Sequence, residues 1–227
     1  MVAMLPRLLQ LASPALPVGA YSYSQGLEWA IESGDVADTH VAQRWIEDHL
    51  TLVIARCEAP VYAACFAAWQ REDAAEVARL NAEFIASRES AEPRAETLQV
   101  GFSYSAWCRE VAPLTESQRV ALAAIDRVCA PVAASLAALA SGLAVRDGLA
   151  AYVFGFTENQ VMVLAKALPM GQIAAQKLLF ALGDPVRQTV DAALVLAPEE
   201  NDWSSAAPWL AIAQMKHETQ YSRLFRS

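Results

Sequence analysis

The chain has 227 residues, 55% of them hydrophobic and 19% charged, and a formal net charge of −8. That length builds a sizeable core as one large domain or two small ones. The acidic balance argues against a nucleic-acid surface. The four cysteines, Cys57, Cys65, Cys108 and Cys129, form no CxxC pair, which argues against a disulfide framework or a zinc knuckle. They read as reduced, buried core residues.

The opening MVAMLPRLLQLASPALP does not read as a signal peptide, because Pro6 and Arg7 interrupt its apolar run. A cytoplasmic protein is expected. Residues 4–12 form a short helix, ended by the Ser13–Pro14 and Leu16–Pro17 steps. Gly19 suits a tight turn with positive φ. Ser22 and Gln25 have the S-x-x-Q spacing of a capping box, followed by GLEWAIES and Gly34 as a stop. The run PVGAYSYSQGLE has two readings. Its hydroxyls satisfy a buried turn, or Tyr21, Gln25 and Glu28 face a partner.

Asp38 caps the next helix, in which Val41, Trp45, His49, Leu52 and Val53 share a face. His49 lies on that apolar face and reads as a structural histidine. Pro60 starts another helix, and Asp73 caps a third that runs to about Ser87. Thr115 and Gln118 offer a second capping box. The uncharged stretch Val128–Val145 reads as a buried core helix rather than a membrane span. Asp147 opens a long helix over 148–168, with Val161, Leu164, Ala165 and Leu168 on one face. Lys166 interrupts that apolar run, as a snorkelling surface residue or an interface residue. Pro169 and Gly171 break it. A further helix, QIAAQKLLFAL, ends at Gly183, and Asp184–Pro185 starts another. No stretch alternates with period two. The expected fold is all-α, a single-domain bundle of about ten helices over residues 1–227. Residues 198–208 read as a loop, and 209–227 as a C-terminal helix and docking tail.

The motif search is largely negative. GxxxxGK[ST], HExxH and GxSxG are all absent. His217–Glu218 starts like the zinc motif, but position 221 is Tyr. With only His40, His49 and His217 in the chain, no catalytic residue, metal ligand or cofactor site is assigned.

The tail KHETQYSRLFRS is different. In a helix, Tyr221, Leu224 and Phe225 fall at i, i+3 and i+4 and form an apolar stripe. Lys216, Arg223 and Arg226 outnumber Glu218, so the tail is basic on an acidic body. His217, Glu218, Gln220, Tyr221, Arg223, Leu224, Phe225 and Arg226 are therefore candidate partner contacts. A chain ending at Met215 is expected to keep its folded core and lose its partner.

Three blocks resemble the urease accessory protein family UreF: LLQLASPALPVGAYSYSQGLEWAIESG (8–34), AAYVFGFTENQVMVLAKALPMGQIAAQKLL (150–179) and the tail 216–227. A fourth, SRESAEPRAETLQVG (87–101), is weaker. Ala91 and Pro93 stand where the family shows Arg and Leu, and Pro93 implies a kink or a helix restart. The resemblance implies an all-helical homodimer without catalysis of its own. It implies a scaffold that bridges a UreD/UreH-type protein and the GTPase UreG, so that nickel reaches urease apoprotein. Neither nucleic acid nor membrane is an expected partner. The alternative is a direct nickel-binding metallochaperone with an intersubunit metal site, built from His217 and cysteines.

Overall fold

The computed structural model describes residues 4–205 and 207–226; residues 1–3, Ala206 and the final Ser227 lie outside that description. Every regular element among the described residues is helical, as the sequence implies. The helices are α1 (Leu5–Ala12), α2 (Leu27–Glu32), α3 (Thr39–His49), α4 (Ala59–Gln70), α5 (Ala74–Ala86) and α6 (Ala91–Glu110). They continue with α7 (Glu116–Ala124), α8 (Ala130–Ala140), α9 (Val145–Ala167), α10 (Gln172–Ala181), α11 (Gly183–Leu196) and α12 (Pro208–Glu218).

The core is built around α8. Alanine is the best helix former and takes up little space, so neighbouring helices approach α8 closely. Residues Ala130 to Ala138 are all buried, which fits a core helix rather than a membrane span. On α6, Gly101 passes so near the entry to α8 that a Cβ there would lie 2.0 Å from the Val128 carbonyl oxygen. The free N–H groups at the start of α8 are met from other helices. Asn81 Oδ1 accepts from Cys129 N at 2.8 Å, and Thr97 Oγ1 from Ala130 N at 3.1 Å. All four cysteines are free and buried, and burial pushes the Cys108 and Cys129 thiols up to about 12.

Local caps appear where the sequence places them. Asp38 accepts from His40 N and Val41 N, and Asp73 from Glu76 N. Thr115 and Gln118 form a reciprocal capping box. Other boundaries differ. α9 begins at Val145, with Asp147 in its first turn. Gly183 does not separate two helices; it is already the first residue of α11, ahead of Asp184 and Pro185.

Pro60 starts no separate helix. A π-helical segment, Leu50–Glu58, joins α3 to α4, so Thr39–Gln70 runs as one helix. Proline has no N–H for the carbonyl four residues back. That carbonyl, on Arg56, is taken by Ser204 N at 3.0 Å, from the loop before α12. Thr39–Gln70 is long and apolar enough to cross a membrane, yet 67% of its most apolar window is buried inside the protein.

Pro93 sits at the third position of α6, after a break following α5. In a first helical turn the missing N–H costs little. Restoring leucine there gains nothing: Pro93→Leu is expected to leave the melting temperature unchanged or lower it. A rise matching the interior-proline penalty of about 3 kcal/mol would show that the break is imposed on the fold.

His49 is 2% exposed and stacks edge-on against Phe156 at 4.8 Å. Desolvation, with the nearby Arg88 charge, lowers its pKa to about 3. The folded state therefore holds it neutral, while the unfolded chain protonates near pH 6.5. As the unfolded state then binds the extra proton, this residue's contribution to stability falls as pH drops from about 6.5 towards 3. His49→Leu should flatten that part of the stability–pH curve, measured by urea midpoints. An unchanged slope would exonerate His49.

Candidate partner-binding face

The C-terminal residues do not form the expected amphipathic stripe. α12 ends at Glu218, and 219–226 is irregular. The cause is a single carboxylate. Glu28, 6% exposed on α2, accepts from Leu224 N at 2.6 Å and from Phe225 N at 3.1 Å. In a helix those N–H groups would bond the carbonyls of Gln220 and Tyr221. The capture by Glu28 turns the chain over the body instead. Arg226 N then donates to the Ser22 carbonyl at 2.8 Å.

This turn sorts the three apolar residues. Phe225 is buried, with the Lys166 ammonium 5.0 Å from its ring centroid. Tyr221 and Leu224 point outward, 106% and 70% exposed. Lys166 thus serves an internal cation–π contact.

His217 lies fully buried beneath the turn, between two carboxylates. Nε2 faces Glu28 Oε2 at 3.1 Å, and Nδ1 faces Glu92 Oε2 at 2.8 Å. The second Glu92 oxygen meets Arg223 at 2.8 Å, a partly exposed pair. Glu218 Oε1 accepts from Ala91 N at 2.9 Å and Glu92 N at 3.2 Å. It caps α6 from 126 residues away, in place of Ser90, whose side chain makes no cap bond. Gln220 reaches Glu32 of α2.

Two further candidates also have internal partners. The Ser22–Gln25 capping box does not form; α2 starts only at Leu27, after Gly26 at φ +84°. Gln25 donates instead to Glu96 at 2.6 Å. Tyr21 donates to Glu158, and burial with that contact raises its pKa. Gly26 also lets α12 approach: a Cβ there would lie 3.1 Å from the Ala213 Cβ. Gly19 adopts the expected positive φ, at +73°.

Sequence reasoning missed Glu92, Glu96 and Glu158. Glu92 lies in the weakest resembling block, and no spacing links it to a histidine 125 residues later.

The geometry defines an all-helical body with its C-terminal segment folded back against α2 and α6. The UreF family model matches residues 36–183. The chain is 51% identical over 223 residues to a protein named urease accessory protein UreF from Azoarcus sp. (strain BH72), covering 97% of this chain and 94% of that one. It is 47% identical to UreF proteins of Cupriavidus metallidurans, over 97% and 96% of the two chains, and of Dechloromonas aromatica, over 98% and 97%. The chain belongs to the UreF family of urease accessory proteins.

The packing of the tail predicts a different outcome for a chain ending at Met215 from the unperturbed core expected above: a loss of stability. That cut removes His217, the α6 cap and the buried Phe225, leaving the buried Glu28 and the half-buried Glu92 without their shared partner. Removing one member of a buried pair costs about 3–5 kcal/mol. His217→Ala alone is expected to lower stability by about 3 kcal/mol in urea titrations, with the m-value unchanged. A loss below about 1 kcal/mol would make the imidazole a bystander.

Proposed function

We propose that this protein is a non-enzymatic scaffold in urease maturation. It forms a cytoplasmic homodimer, binds a UreD/UreH-type accessory protein and recruits the GTPase UreG, so that nickel reaches urease apoprotein. Family membership supports the setting. One observation supports the docking role: the tail is held at Glu28, yet Tyr221 and Leu224 stand bare beside the anchored backbone. An ordered segment with exposed large side chains is preorganised, so less entropy is lost on binding.

The rival reading, a nickel site shared between subunits and built from His217 and cysteines, has less support. His217 is buried within one chain, and both its ring nitrogens face that chain's own carboxylates.

The test separates docking from stability. Tyr221→Ala and Leu224→Ala, both at exposed positions, are expected to shift stability by less than about 0.5 kcal/mol. Together they should weaken co-purification with the UreD/UreH-type protein by about tenfold or more. Urease from cells carrying the pair should contain less nickel. Full retention of the partner by the double variant would refute the tail as docking element.

A further inference from the structure

A cleft of about 440 Å³ opens where α2, α3 and the start of α12 meet. Three of the chain's six tryptophans, Trp29, Trp45 and Trp209, line it. Trp45 and Trp209 meet edge to face, with ring centroids 4.4 Å apart. They pack on a small cluster of Val53, Ala207 and Leu210, which fixes the rings. Two exposed carboxylates, Asp35 and Asp48, also line the cleft, and neither is ion-paired among the described residues. Arg44 lines it too, but its guanidinium contacts His40. The Trp45 indole N–H is buried and has no acceptor.

We propose that this cleft binds an arginine side chain presented by a peptide segment of a partner protein. Indole faces attract cations, and a planar guanidinium stacks on them while forking to a carboxylate. Asp35 and Asp48 supply the complementary charge. The shape of the group selects the source: a guanidinium plane lies on a ring and forks to a carboxylate at once, whereas a compact inorganic cation does neither. Aromatic anchors of this kind dominate interface energetics. The inference stands apart from the tail and from the maturation reading.

The experiment uses the full chain, isotope-labelled at the indole nitrogens. It is titrated with the capped tripeptide acetyl-Gly-Arg-Gly-amide and with its citrulline counterpart, a neutral isostere. The indole signals of Trp29, Trp45 and Trp209 should shift saturably with the arginine peptide. Affinity should be about tenfold lower for the citrulline peptide, and for the Asp35→Asn/Asp48→Asn variant with the arginine peptide. Both substitutions are at exposed sites, and an unchanged melting temperature verifies the fold. Equal binding of the two peptides would reduce the cleft to an apolar groove and overturn the proposal. So would an absence of indole shifts with the arginine peptide, or undiminished affinity in the folded variant.

Discussion

Two carboxylates close together, Glu28 buried and Glu92 half-buried, repel unless a polar group lies between them, and here that group is the imidazole of His217. Its ring connects three parts of the chain far apart in sequence. Glu28 brings α2, Glu92 brings the start of α6, and the histidine itself lies in the last turn of α12. Each carboxylate then uses its remaining capacity on the tail. Glu28 takes two backbone N–H groups, and Glu92 takes Arg223. Coulomb attraction in such a dry site is far stronger than at the surface, and so is the penalty for losing one partner. The path of residues 219–226 therefore follows from contacts made by α2 and the end of α12.

The tail combines anchoring with display. Phe225 and Glu218 face inward, one filling the core and the other capping a helix. Tyr221 and Leu224 remain outside because their neighbours are tied down. A frayed segment would offer the same side chains over many conformations, and ordering them would consume much of the binding energy.

Local signals in the sequence were reliable where the physics was local. Asp38, Asp73 and Thr115 cap helices because each needs only an N–H two or three residues away. The cysteines and the alanine-rich stretch of α8 were legible because burial follows composition. The same S-x-x-Q spacing failed at Ser22–Gln25, where Glu96 competes for the glutamine from 71 residues away. The tail stripe failed for a related reason, since Glu28 takes N–H groups that a helix would have used. A periodicity argument does not contain distant competitors. Most of the tail residues expected to meet a partner also make contacts within the chain, and no local pattern shows those contacts. Glu92 and Glu158 carry no local mark, because a lone glutamate reads as a solvated face.

The cap on α6 has a consequence for the order in which the molecule is assembled. A ribosome delivers Glu92 125 residues before His217 and 126 before Glu218. Until those two emerge, α6 has an open N-terminus and the two carboxylates have no shared partner. The growing chain can collapse around α8, but the contacts that hold α2 and the start of α6 to α12 form only afterwards. A nascent chain that has not yet released α12 is distinguishable from one that has by the face it leaves open.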